Sequence, residues 1–180
     1  MWFLPRVEGT SIIRAEPRAF VSAFVRRIET GLLRGTSPRR CRYTVTRHGD
    51  AGLAFRATDW LTAFNVGLND VELTVSSGGR VGYTIQYRRW ARYAVVLSAG
   101  FGLLLGAVFL IVDIRSYIDQ HAGSRIPGLS TGQNVAIAWA MALFWGFVWP
   151  WILIALHKSP LRRLMEQLIA EVDAVAMTGR

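Results

Sequence analysis

The sequence predicts an α+β membrane protein: an antiparallel β-meander covered by two amphipathic helices, with a two-helix transmembrane hairpin inserted before the C-terminal helix. Three observations carry this expectation. Two uncharged, strongly apolar stretches, Tyr93 to Val112 and Val135 to Leu156, are 20 and 22 residues long. Alternating apolar and polar residues fill most of the segment between Arg40 and Arg88, and an apolar stripe at helical spacing lies on either side of the whole.

At about 1.5 Å per residue, each apolar stretch covers the roughly 30 Å hydrocarbon core of a bilayer. The first contains twelve Leu, Ile, Phe or Val residues. At about −0.3 to −0.6 kcal/mol each near a helix centre, these favour insertion by several kcal/mol. A core helix of a soluble protein keeps a polar stripe, whereas here the apolar residues run all round. Met1-Trp2-Phe3-Leu4 is interrupted by Pro5 and Arg6, so the chain start does not read as a signal peptide.

Charge sets the expected orientation. Arg88, Arg89 and Arg92 precede the first span and Lys158, Arg162 and Arg163 follow the second, while the connecting loop balances Arg115 and Arg125 with Asp113 and Asp119. The positive-inside rule then places both termini in the cytoplasm, in a bacterium at the inner membrane with the loop outside. Of the formal net charge of +9, an excess of +8 lies in residues 1–92, where 15 Arg face seven acids. Anionic lipid headgroups are the expected partner, through Arg88, Arg89, Arg92, Lys158, Arg162 and Arg163, since each basic group near such a surface contributes about 1 kcal/mol. No nucleic-acid-binding motif accompanies the charge, so nucleic acid is not expected.

The expected organisation is a cytoplasmic α+β domain (1–92), transmembrane helix 1 (93–112), an external loop (113–134), transmembrane helix 2 (135–156) and an amphipathic helix (157–180) packing back on the first domain. Gly9 to Arg14 reads as a strand. Glu16-Pro17 opens a helix to Leu33, with Phe20, Val21, Phe24, Val25, Ile28 and Leu32 at helical spacing. Gly35-Thr36-Ser37-Pro38 reads as a loop.

The period then changes to two. Tyr43 and Val45 begin one strand, His48-Gly49-Asp50 turn, and Leu53, Phe55 and Ala57 mark a second. Trp60, Thr62, Phe64, Val66 and Leu68 suggest a third, and Asn69-Asp70 a turn. Val71, Leu73 and Val75 follow, then the turn Ser76 to Gly79, then Val81, Tyr83, Ile85 and Tyr87. Near the end, Ser159 is an expected N-cap with Pro160 at the first helical position, and Leu161, Leu164, Leu168, Val172 and Val175 form the stripe. An alternative lays that helix in the membrane interface, with Arg162 and Arg163 toward headgroups. The order strand, helix, meander, helix resembles a reduced helix-grip arrangement of the kind found in small hydrophobic-ligand domains, in topology alone.

Within the spans, Ala94, Ser98, Gly102 and Gly106 recur every four residues, as do Ala138, Ala142 and Gly146. Such stripes let helix backbones approach, either closing the hairpin or recruiting a homo-oligomer partner or another membrane protein. Pro150 predicts a local kink, and Trp139, Trp145, Trp149 and Trp151 read as packing and interfacial residues.

Little points to catalysis. Cys41 lacks a partner cysteine, and His48, His121 and His157 fall on opposite sides of the expected membrane, so neither a metal site nor any other cofactor is expected. Asp113, Asp119 and His121 read as a solvated loop. The expected function is a non-enzymatic scaffold or accessory subunit. The alternative is a binding or transfer module for a lipid or other apolar ligand, in a cavity lined by Phe20, Phe24, Phe55, Phe64, Tyr83 and Tyr87.

Overall fold

Alternation along the strands and stripes along the helices build a mixed α+β structure. The computed structural model describes residues 4–32, 42–121, 123 and 125–178, apart from the side chains of Asn65 and Val66. The expected Gly35 to Pro38 loop, Cys41, the helix end at Leu33 and the strand onset at Arg40 lie outside the described residues. The chain forms two compact units, Met1–Ala91 with Ala155–Arg180, and Arg92–Ile154.

The first unit contains β1 (Arg6–Ile12), α1 (Pro17–Thr30), β2 (Tyr43–Gly49), β3 (Gly52–Ala57), α2 (Trp60–Val66), β4 (Asp70–Val75) and β5 (Arg80–Gln86). The strands form one antiparallel sheet of order β1-β5-β4-β3-β2. Val71, Leu73, Val75, Val81, Tyr83 and Ile85 are all buried, while their alternating neighbours are at least partly exposed. Each large apolar side chain fully buried in this way contributes about 1.5–3 kcal/mol. β1 begins three residues earlier than the Gly9 expected from sequence.

The expected strand over Trp60 to Leu68 is a helix, α2. Asp59 decides this, because its side chain accepts the Thr62 N–H at 2.7 Å and caps the first turn. Gly67 closes the other end with a left-handed φ of 76°, a backbone state that glycine adopts without the Cβ penalty.

α7 (Lys158–Thr178) packs on α1 and β1. It begins before the expected cap. Ser159 and Pro160 lie inside its first turn, where the missing proline N–H has no intrahelical partner to lose. Its buried face is Leu161, Met165, Leu168, Ile169, Val172 and Ala176, whereas the expected stripe member Val175 is exposed. Buried Asp173 fixes this face. Its carboxylate accepts the Arg14 N–H at 3.0 Å and the Ala15 N–H at 2.9 Å, meeting two donors at the β1–α1 turn.

α3 (Arg88–Ile111) leaves β5 almost directly and runs into the second unit. There follow α4 (Ile114–Gln120), α5 (Thr131–Leu143), a π-helical turn (Phe144–Val148) and α6 (Trp149–Leu156). Two helical stretches, Arg88–Ile111 and the one running from Thr131, are long and apolar enough to cross a membrane. The π turn falls just before Pro150, and the Trp149 N–H reaches back to the Phe144 carbonyl, a local adjustment of the kind a proline provokes. Ser130 and Gln133 form a capping box at the start of α5.

Candidate functional site

Five side chains meet where β5 becomes α3: Asn69, Arg89, Trp90, His157 and Tyr87. Asn69, fully buried, donates from Nδ2 to the Ala63 carbonyl at 2.9 Å and accepts the Trp90 N–H on Oδ1 at 2.9 Å. One amide thereby closes the end of α2 and satisfies an orphan donor in the first turn of α3. Arg89 turns inward, its guanidinium donating to the Ala57 carbonyl at 2.9 Å and the Asn69 carbonyl at 3.1 Å. The His157 ring, from the residue between α6 and α7, stacks on Trp90 at 4.0 Å and 3°. Tyr87 meets both rings edge-on, at 6.1 Å and 5.6 Å.

Gly67 completes the junction. A Cβ there would lie 2.4 Å from His157 Nε2, so the left-handed φ and the close approach both favour glycine. Burial pushes the Tyr87 hydroxyl up to about 12. Tyr83 is also raised, by burial first and then by the Glu166 carboxylate, to which its hydroxyl donates at 3.3 Å.

Beside β1 lies a groove of about 830 Å³ lined by Leu4, Arg6, Val7, Glu8, Ala155, Lys158, Ser159 and Arg162. Arg6 pairs with Glu8, and Arg162 donates to the Glu8 carbonyl at 2.9 Å. The groove therefore brings three cations and one acid together with Leu4, Val7 and Ala155. Of the other expected lipid-facing cations, Arg88, Arg92 and Arg163 are exposed.

Phe20, Phe24, Phe55, Tyr83 and Tyr87 are buried, and the phenylalanine rings pack against one another, with Phe20 to Phe24 at 5.7 Å and Phe24 to Phe55 at 6.0 Å. Phe64 lies on the exposed side of α2, because that segment is helical.

Within the second unit, Gly102 and Gly146 face each other. A Cβ on Gly102 would lie 2.6 Å from the Gly146 Cα and 3.2 Å from the Ala142 carbonyl oxygen. A Cβ on Gly146 would meet the Ser98 carbonyl oxygen at 3.5 Å. Gly106 faces the Trp139 ring, Ala94 and Ala142 are buried, and Ala138 is half-buried. In the loop, Asp119 accepts from Arg125 at 3.3 Å and Thr131 at 2.6 Å, and the Ser116 hydroxyl holds Asp113 below the usual carboxylate range. Among the described residues no group of three or more His, Cys, Asp or Glu is placed to hold a metal ion.

No family model, no curated protein and no solved structure matches the chain. Sequence reasoning misses the junction: it takes Asn69 for a turn residue and finds no partner for His157. The available signal was the closely spaced trio Asp59, Gly67 and Asn69, which together cap a helix.

Proposed function

We propose that the chain is an integral membrane, non-enzymatic scaffold or accessory subunit, with a cytoplasmic α+β domain carried at the bacterial inner membrane by a transmembrane hairpin. The carrying observation is the outward apolar surface of α3, whose most apolar 18-residue window is only 6% buried. In water that surface would be a severe liability, and in a bilayer it is matched to its solvent.

The Gly102–Gly146 approach supports the small-residue stripes as the seam of the hairpin itself. A partner then meets the surface that the closed hairpin leaves open. An apolar groove of about 300 Å³ beside that seam, lined by Gly106, Leu110, Trp139, Leu143 and Phe147 among others, supports this face.

The second reading is a lipid-binding module. The basic groove over Leu4, Val7 and Ala155 favours it, because cations above apolar side chains suit an anionic headgroup and its first methylenes. Mutual packing of Phe20, Phe24 and Phe55 supports the scaffold over a ligand held between sheet and helices.

Native mass spectrometry of the protein extracted in nanodiscs tests both. Added polypeptide masses, or a fixed multiple of the 20.1 kDa chain, are the expected result. A monomer carrying one stoichiometric lipid would replace the scaffold by the second reading.

A further inference from the structure

β1 is an edge strand, and a side chain from α7 reaches its backbone. Arg162 donates from Nη2 to the Glu8 carbonyl at 2.9 Å. Burial and then the Glu166 carboxylate raise the Tyr83 hydroxyl, and the Arg162 guanidinium stands close enough to lower it. Arg162 is therefore placed by the protein before any ligand arrives. Its side chain is exposed, and a guanidinium carries five N–H donors, so the bond to Glu8 leaves donors for a further acceptor. Arg6, on β1 itself, pairs with the Glu8 carboxylate and keeps 54% of its side chain exposed.

Both arginines line the groove of about 830 Å³ beside β1, a volume in the range of small-ligand sites, about 300–1,000 Å³. Every lining residue belongs to the sheet-bearing unit. Arg6, Lys158 and Arg162 against Glu8 leave a formal charge of +2. A phosphate monoester carries about −1.5 to −2 at pH 7 and presents three oxygens to guanidinium forks, whereas a carboxylate brings a single charge. Leu4, 52% exposed, and Ala155 leave apolar surface in the same groove. Charge and surface together fit an anion that carries a hydrocarbon chain.

We infer that the groove is a seat for a phosphate monoester bearing an alkyl chain. Arg6 and Arg162 donate to the phosphate oxygens, exposed Ser159 supplies a hydroxyl beside them, and Leu4 and Ala155 meet the first methylenes. Glu8 sets the selectivity. Its carboxylate holds Arg6 in the empty groove, so binding exchanges one ion pair for another, and a monovalent anion gains less from the exchange than a dianion does. The seat goes beyond the scaffold reading and rests on the second reading only for the groove that they share.

The test is calorimetric titration of the full chain in a neutral detergent, with empty micelles as the blank and four probes: hexyl phosphate, inorganic phosphate, hexanoate and dihexanoyl phosphatidic acid. Hexyl phosphate should bind at one equivalent, about tenfold or more tighter than inorganic phosphate, which lacks the chain, or hexanoate, which lacks the second charge. Arg6→Gln, and Arg162→Lys, which keeps the charge and loses the fork, should each weaken it about fivefold or more. Glu8→Gln should tighten it by removing the competing carboxylate. Thermal unfolding checks each fold; should Arg162→Lys unfold, Arg6→Gln decides alone. Hexyl phosphate bound no tighter than the two controls, or undiminished in the arginine variants, overturns the seat. Weaker binding in Glu8→Gln overturns it too, since a carboxylate that assists binding belongs to a cationic ligand. Phosphatidic acid that displaces hexyl phosphate assigns a lipid source; hexyl phosphate bound without such displacement supports the seat for a soluble ester and removes the lipid-binding reading. No phosphate bound, with a stoichiometric lipid still present in native mass spectra, removes the seat and leaves that reading standing.

Discussion

The two units place the same kinds of side chain on opposite sides of their surfaces. In the sheet-bearing unit Phe20, Phe24, Phe55, Leu73 and Ile85 are buried and most charges, Asp173 excepted, reach the surface, the sorting that water imposes. In the hairpin unit Leu103, Leu104, Leu110 and Ile111 are exposed, while the contact between helices is made by glycines. One unit is held by what it hides from solvent. The other is held by how closely two backbones approach, which is how helices associate when their surroundings are as apolar as they are.

The sharpest way to break that comparison is to keep the hairpin apolar and spoil its fit. Gly102→Leu forces a side chain into the Gly146 backbone, 2.6 Å from the site of its Cβ. We expect a loss of about 3 kcal/mol or more, at the upper end for overpacking because backbone cannot rotate aside. Gly106→Leu, facing only the Trp139 ring at 3.3 Å, should cost less, and Gly100→Leu, with nothing within 4 Å, close to nothing. Thermal unfolding in mild detergent reads the series. Equal effects at all three positions would refute the seam, and a native fold with a dissolved oligomer in Gly102→Leu would move the stripe to an intermolecular contact.

The matching experiment in the sheet-bearing unit removes a polar anchor. Asp173→Ala strands the Arg14 and Ala15 N–H groups, at an expected cost of about 2–3 kcal/mol. Asp173→Asn retains an acceptor and should lose about half of that. Hydrogen exchange at the two amides should accelerate while α3 stays protected. Uniform acceleration in both units would show that they unfold as one.

A smaller effect is expected at the junction. Gly67→Ala combines a left-handed φ of 76° with a collision at His157 Nε2, for about 1–2 kcal/mol in all. His157→Ala in the same chain should relieve the steric part and leave the backbone part. Additive losses in the double-mutant cycle would deny the contact.

How much of this was legible follows the reach of each signal. β4 and β5 were readable because Val71 to Val75 and Val81 to Tyr87 alternate without interruption, and α1 because Phe20, Phe24 and Ile28 recur in register. α2 was not, since Trp60, Phe64 and Leu68 fit a period of two as well as a helical face, and only the caps at Asp59 and Gly67 separate them. The start of α7 was misplaced because Ser-Pro is a common helix opening, yet proline in any first-turn position has no hydrogen bond to lose. The junction depends on Asn69 with Trp90 and Gly67 with His157, pairs remote in sequence that no periodicity records.

The gentlest probe of the comparison is alkaline pH. Tyr87 is pushed from 10.0 up to about 12 by burial in the sheet-bearing unit, and Tyr83 is raised as well. A raised tyrosine favours the folded state in its neutral form. Its contribution is complete below about pH 10, where the unfolded chain is also protonated, and is lost as pH climbs through 10 toward about 12, where the unfolded state ionises first. Stability in denaturant should therefore fall across that window, and Tyr87→Phe should flatten the slope whatever it does to the level. A slope that survives Tyr87→Phe and Tyr83→Phe together would place the alkaline sensitivity elsewhere in the chain. A slope that vanishes would tie it to the face of the sheet that α7 covers.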